Sequence, residues 1–306
     1  MNNQNKLLVI GSSNTDMVIY TDHFPQKGET ILGKKFLMNP GGKGANQAVA
    51  AARLGAEVVF VCKLGSDLFG HQTINNLENE GIDMASIIID LNNSSGVAQI
   101  IVNKDGENCI VVAPGANMSL NAEDIDGIKP LIRDAGMILV QLEIPLATIS
   151  RILKIAAVYN KKVILNPAPA TDLRNELLNG LYMITPNETE AEILTGIKIA
   201  GHSSVIQATD ILKKKGVENV IITLGEKGAY VASDKYTGLI VVEKVQAIDT
   251  TGAGDTFNGA LAVSLLDGND LLKAVSFANK AASISVTRLG AQSAIPYKDE
   301  LISYEN

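Results

Sequence analysis

The segment DTTGAGDTFNGAL, Asp249 to Leu261, puts side by side two kinds of group that ordinarily repel each other's partners. Gly252 and Gly254 permit a tight turn just before an apolar run with helical character. Main-chain N–H groups at such a turn attract anions. Asp255, read here as the start of the helix, carries a charge that would repel a phosphate. One reading makes it an N-cap, a position where aspartate is favoured on any helix. The other is phosphoryl transfer. There the amides of Gly252, Ala253 and Gly254 hold the negative charge of the moving group, while the Asp255 carboxylate takes the proton of an incoming alcohol. An acid that faces the acceptor, with phosphate arriving on the amide side, acts as a base.

A second glycine cluster, NPGGKGAN (39–46), also feeds a helix. Gly41, Gly42 and Gly44 would let a ligand come close to the main chain, and Asn46 offers a donor and an acceptor to hydroxyls. A bare turn and helix start explains the same residues. Polar residues also follow two expected strands: Asn14 and Asp16 in GSSNTD, and Glu143 in VQLEIP. Ligands of open α/β sheets bind beyond such strand ends, where carboxylates and amides can bracket a polyol. Taken singly, each is equally a turn or cap residue.

Other glycine motifs fail. GETILGKK (28–35) lacks the P-loop hydroxyl, because Lys35 stands in its place, and reads as an exposed hairpin turn. GKGANQ has Gln47, and GAGDTF has Phe257, where a dinucleotide fingerprint needs its third glycine. A nicotinamide enzyme is not expected.

The elements that must carry these groups alternate. Apolar runs at 7–11, 57–65, 137–143, 162–170, 181–188 and 219–228 read as strands. Helical spacing occupies 44–55, 68–81 and 146–160, with Gly55 and Gly81 at expected helix ends. Nearly continuous apolar strands followed by helices predict an α/β fold: a doubly wound, mostly parallel sheet with helices on both faces. Residues 17–38 and 96–114 break the rhythm as strand–turn–strand units, the second with Asp105-Gly106 at its turn. They predict a small β-sheet projecting from one body that spans 1–306.

Lys+Arg 26 against Asp+Glu 33 gives a net charge of −7, which argues against a nucleic-acid surface. No run reaches the roughly 20 apolar residues of a membrane span, and the N-terminal apolar run is too short for a signal peptide. Cys62 and Cys109 each sit in an apolar stretch and are expected buried and reduced. A cytoplasmic protein is expected.

Together GSSNTD, NPGGKGANQAVAAARLGA, QLEIP, LNPAPA, TPNETEAE, TLGEKGAY, DTTGAGDTFNGAL and VTRLGAQ span nearly the whole chain. In combination they resemble the ribokinase-like family of carbohydrate and nucleoside kinases. The resemblance implies ATP-dependent phosphorylation of D-ribose at its 5-hydroxyl, with a β lid through which two copies pair. It assigns Asn14, Asp16, Gly42, Lys43, Gly44, Asn46 and Glu143 to the sugar, Asp255 to the base and Gly252–Gly254 to the anion hole. It assigns Asn187, Thr223, Leu224, Gly225, Glu226, Lys227, Gly228, Gly254 and Asn279 to ATP. Glu190, in the Asn-x-x-Glu pattern, would organise Mg²⁺ and its waters; Mg²⁺ needs few protein carboxylates, and an ordinary cap or exposed acid is the alternative. An activating monovalent cation, usually K⁺, is implied at Asp249, Thr251, Ser285, Arg288, Gly290 and Ala294. Ala294 replaces a serine found in some members, and Ser293 does not substitute without a local shift. Alternative acceptors are 2-deoxyribose, another pentose or a nucleoside; a non-catalytic sugar-binding protein would use the same scaffold.

Overall fold

The computed structural model describes residues 6–173 and 175–303. In chain order its strands are β1 (Lys6–Ile10), β2 (Asn14–Tyr20), β3 (Lys35–Gly41), β4 (Glu57–Val61), β5 (Lys63–Gly65), β6 (Ile88–Asp90), β7 (Gly96–Val102), β8 (Asn108–Ala113), β9 (Met137–Val140), β10 (Val163–Leu165), β11 (Met183–Ile184), β12 (Asn219–Thr223), β13 (Ala229–Ala232) and β14 (Thr237–Ile240). The helices are α1 (Lys43–Arg53), α2 (Leu68–Asn79), α3 (Ala122–Gly127), α4 (Lys129–Asp134), α5 (Leu146–Val158), α6 (Asn175–Leu178), α7 (Glu188–Thr195), α8 (His202–Lys214), α9 (Ala253–Leu266), α10 (Leu271–Ser285) and α11 (Lys298–Ser303).

The main sheet runs β14-β13-β12-β11-β10-β9-β1-β4. From β4 to β12 neighbours are parallel, and β13 and β14 add an antiparallel edge. Side chains alternate across it, as strand geometry requires. Leu8 and Ile10 join a cluster with α5, α7 and α8, while Leu7 and Val9 join one with α1, α9 and α10. That is the doubly wound α/β arrangement expected. Gly55 and Gly81 follow the caps of α1 and α2 with φ of 102° and 71°, the left-handed turn that ends a helix.

A second sheet, β3-β2-β7-β8, is built from the two irregular units. β2 pairs antiparallel with β3 and parallel with β7, so the units share one sheet. Two readings need correction. The 57–65 run is not one strand: β5 leaves the main sheet and pairs with β6. Cys109 is exposed on β8, because all of that edge strand lies open, whereas Cys62 is buried and its thiol pushed well up by burial.

Two local features aim the site. β1 ends at Ile10 and β2 starts at Asn14, so the second sheet springs from the carboxyl end of the strand beside the β4 edge. β3 runs through Gly41 directly into α1, which lies against α9. Gly259 lies at that crossing: a Cβ there would stand 2.6 Å from Ala50 Cβ and 2.9 Å from the Gln47 carbonyl oxygen. Gly259 is one turn past Asp255, and Ala50 is one turn past Asn46. The crossing therefore brings Asp255 against the first turn of α1.

Candidate active site

The carboxyl ends of β1, β9, β10 and β11 open on one side, delivering Ser12–Asn14, Gln141 with Glu143, Asn166, and Thr185 with Asn187. α9 points its first turn at them. Gly252, at φ 73°, is its N-cap, so the helix starts ahead of Asp255 and the capping reading of that residue is wrong. Its side chain turns away from its own amides and toward α1. Asn46 Nδ2 donates to Asp255 Oδ2 and Gln47 Nε2 donates to Oδ1, both at 2.9 Å.

Burial pushes the Asp255 carboxyl upward, opposed by Lys43 and by these two amide donors. Asp16, nearby, is pushed up to about 6 by burial and then by Glu143 and Asp255. Burial works against the charge on Lys43, yet Asp255, Glu143, Glu190 and Asp16 together hold its pKa above the ordinary lysine value. The site is a cluster of carboxylates around one ammonium.

Of the three amides expected to hold anionic charge, Ala253 N–H donates to the Thr250 carbonyl at 3.2 Å. Among the described residues nothing accepts from the N–H of Gly252 or Gly254. A Cβ at Gly254 would meet no atom within 4 Å, so open space lies beside that amide.

The glycines at 41–44 do a different job from the one expected. A Cβ at Gly42 would fall 2.7 Å from Asn14 N, and one at Gly44 2.6 Å from Ser12 N. At Gly41 it would meet the Asp16 carboxylate at 2.3 Å. The room the missing side chains leave is taken by the chain's own 12–16 segment rather than by a ligand. The turn is pinned by Glu143, whose Oε2 accepts from Ser12 Oγ and, at 2.9 Å, from Lys43 N–H. Asn14 is buried, with its Oδ1 taking Asn117 Nδ2 at 2.8 Å.

Two adjoining cavities meet at Gly254. The smaller, about 200 Å³, contains Lys43, Asn166, Glu190 and Asp255 in its wall. The larger, about 550 Å³, takes in Gly225, Glu226, Gly228, Asn279, Val242, Val245, Phe257 and Val286. Asn187, Thr223, Thr250 and Gly254 face both. Leu224 and Lys227 are on neither wall, and Leu224 packs in the core. The apolar stretch of the larger cleft suits a flat heteroaromatic ring and its shared rim suits phosphates. Asp255 lies just beyond that rim, where an acceptor alcohol would stand.

Glu190 does cap: Asn187 Oδ1 accepts its N–H at 2.8 Å, and Glu190 Oε2 accepts Asn187 N–H at 2.9 Å. It is also buried on the smaller cavity's wall, and burial raises its pKa. Capping and a role at the cavity are compatible, because Oε1 makes no such bond. A water-carrying Mg²⁺ fits one such carboxylate; among the described residues no cluster of three or more His, Cys, Asp or Glu could enclose a metal.

Asp249 ties the last group together. Its Oδ1 accepts from Thr251 N–H at 2.9 Å and Oγ1 at 2.7 Å, and its Oδ2 accepts Gly290 N–H at 2.9 Å. Ser285 O accepts Arg288 N–H, the Arg288 guanidinium reaches Glu300, and Ala294 lies buried in the following turn. Ser293 Oγ is committed to the Leu289 carbonyl at 2.8 Å, so it does not stand in for a hydroxyl at 294.

Gln47, Gln141, Asn166 and Gln292 were not singled out by the motifs, though all four hydrogen-bond around Asp255. Position after a strand could have flagged Gln141 and Asn166. Gln47 was visible only as the residue spoiling a glycine fingerprint.

Comparison with known proteins agrees with this geometry. The chain is 45% identical over 298 residues to a ribokinase of Haemophilus influenzae, covering 97% of each. It is 38% identical over 299 residues to a deoxyribokinase of Salmonella typhi, covering 97% of this chain and 98% of that one. The solved structure of an Arabidopsis thaliana ribokinase complexed with ribose and ATP superposes with a TM-score of 0.91 at 33% identity, covering 98% of both chains. Residues 4–298 match the pfkB family of carbohydrate kinases, and the chain belongs to that family.

Proposed function

We propose that the protein is a kinase that transfers the γ-phosphoryl group of ATP to the 5-hydroxyl of D-ribose, giving ADP and D-ribose 5-phosphate. The observation that carries the reading is the meeting of two cavities at Gly254, with the buried Asp255 carboxylate on the far side of the open amide. The ribokinase relatives and the match to a ribose- and ATP-bound neighbour support the choice of acceptor.

In the reaction, Asn14, Asp16 and Asn46 bracket the sugar hydroxyls, and Glu143 holds the 12–14 turn against Lys43. Asp255 accepts the proton of the 5-hydroxyl as its oxygen bonds to the γ-phosphorus and the bond to the bridging oxygen of ADP breaks. Gly252 and Gly254 amides, with Lys43, meet the charge spread over the phosphoryl oxygens. Asn187, Thr223, Gly225, Glu226, Gly228 and Asn279 hold the nucleotide. Mg²⁺, carried in with ATP and steadied through water by Glu190, would neutralise phosphate charge. A monovalent cation near Asp249, Thr251, Ser285, Arg288, Gly290 and Ala294 would order the loop that leads into α9.

The protein acts in the cytoplasm, where ATP is supplied and the exposed Cys109 stays reduced. Two copies pair through the second sheet, which leaves Phe36, Met38, Ile110, Val111 and Val112 exposed, Val111 at 67%.

A second acceptor, 2-deoxyribose, is favoured by the deoxyribokinase relative. The test compares kcat/KM for ribose, deoxyribose, fructose and adenosine, with and without K⁺, in the wild type and Asp255→Asn. Ribose is expected to be the best substrate, and the variant to bind ATP and ribose while losing most turnover. Near wild-type kcat in Asp255→Asn refutes the base; a clear preference for deoxyribose transfers the assignment to that sugar.

A further inference from the structure

The Asp255 carboxylate is held by two amides, and each amide is itself held at its far end. Asn46 Oδ1 accepts Gln292 Nε2 at 3.0 Å, and Gln47 Oε1 accepts Gln141 Nε2 at 2.6 Å. A side-chain amide has a donor end and an acceptor end of nearly equal shape, so only its partners decide which end faces a neighbour. Were Asn46 reversed, its oxygen would face the carboxylate oxygen; Gln292 prevents this by engaging that oxygen. Gln141 does the same for Gln47. Gln47 Nε2 also reaches Asn166 Oδ1 at 3.0 Å, fixing the amide plane from a second strand end.

One unpaired atom and one brace accompany this orientation. Gln141 Oε1 is buried without a hydrogen-bond partner, which proteins seldom tolerate. Its Nε2 is spent on Gln47 alone. Gln292, for its part, sits in a short turn whose carbonyl is clamped by Arg53 Nη1 at 2.6 Å, and Arg53 is bound to Glu80 and lies over the Tyr297 ring.

We propose that Gln47 and Gln292 are positioning residues for the reaction, acting through Asp255. Gln47 and the Gln292-oriented Asn46 each occupy one lone pair on one carboxylate oxygen. The carboxylate plane is thereby fixed, and the remaining lone pairs are free for the acceptor hydroxyl. The charged groups that face Asp255 are Lys43 from α1, Asp16 from β2, Glu143 after β9 and Glu190 from α7. None of them touches Gln292 Nε2 or Gln47 Nε2, but the Gln47 and Asn46 donors also favour the charged form of Asp255, so losing them weakens the hold on its charge as well as on its orientation.

The proposal rests on Asp255 as the base, and Asp255→Asn alone tests that reading. Gln47→Met and Gln292→Met keep volume while removing the donor. With ribose and Mg·ATP, Gln47→Met is expected to lose roughly tenfold or more in kcat, the scale of a hydrogen bond to a charged group, and Gln292→Met, whose bond is to the neutral Asn46 amide, roughly two- to tenfold, with KM for ATP within about twofold of wild type in both. Each is then combined with Asp255→Asn and turnover followed with radiolabelled ATP. A residue that works through the carboxylate adds no further loss once the carboxylate is gone. Unchanged kcat in both single variants overturns the proposal, and so does a loss that multiplies fully with that of Asp255→Asn. Should Gln47→Met fail to fold, Gln292→Met, in the short turn at 292–294, decides alone. If Asp255→Asn itself turns over at the wild-type rate, the base assignment fails, which is a different result.

Discussion

Replacing Gly259 by alanine sets two effects of opposite sign against each other at one atom. Alanine is the better helix former and would gain about 1 kcal/mol at most inside α9. The added Cβ would stand 2.6 Å from Ala50 Cβ, 2.9 Å from Gln47 O and 3.0 Å from Ala51 N. Ordinary carbon contacts lie at about 3.5–4.0 Å, so the α1–α9 crossing must open by about 1 Å. Two of the three obstructing atoms are backbone, and no rotamer change relieves them. Overpacking of this kind costs roughly 1–3 kcal/mol, so crowding outweighs propensity. Thermal unfolding should fall by roughly 2–4 °C per kcal/mol of net loss. The effect on turnover should be larger, because the same crossing sets Asp255 against Asn46 and Gln47. A misplacement near 1 Å costs about 100-fold in rate. Gly225, Gly228 and Asn279 lie away from the crossing, so KM for ATP should hold. The assay is calorimetry beside steady-state kinetics. Wild-type kcat with an unchanged or raised melting temperature in Gly259→Ala would show that the crossing has slack and refute the argument.

Three further outcomes are expected. The Asp16 carboxyl, at about 6 in the folded protein against 3.8 as a free side chain, keeps a proton that the unfolded chain has lost. That contribution is complete below about pH 4 and is lost as pH rises to about 6, by at most about 3 kcal/mol; Asp16→Asn should remove this slope from ligand-free melting curves, and parallel curves would contradict it. Asp249→Ala frees Thr251 and Gly290 and should abolish K⁺ activation while ribose affinity is kept; an unaltered K⁺ titration would count against a cation at that loop. Val111→Asp should turn a dimer into a monomer by sedimentation velocity, and a wild type already monomeric would remove the proposed lid pairing.

The α/β body was legible because its strands are short apolar runs and its helices carry periodic faces. Those are local properties that tertiary contacts reinforce rather than override. The second sheet was legible as two hairpin-like units, yet the parallel pairing of β2 with β7, which joins them, depends on residues some eighty positions apart and leaves no local mark. The same division runs through the site. Asp255, Glu190 and the glycine turns stand out because their residue types are chemically unusual where they occur. What those types do was less evident. Gly42 and Gly44 look like openings for a ligand, but they are places where the chain admits itself, so that the Ser12–Asn14 turn and the start of α1 share one small volume. Gln47 looks like a failed glycine and is a donor to Asp255. Each misreading has the same source: a residue's type limits what it can contact, while its contact is chosen by a partner from elsewhere in the chain. Glycine is ambiguous because it can make room for a ligand, a turn or a neighbouring backbone. An amide is ambiguous because it can present either end. Buried carboxylates carry fewer such choices, since burying a charge is tolerated only where something is arranged to receive it. That is why Asp255 was readable before the groups that orient it. It is also why the strongest test of the site is to disturb those orienting groups while leaving the acid in place.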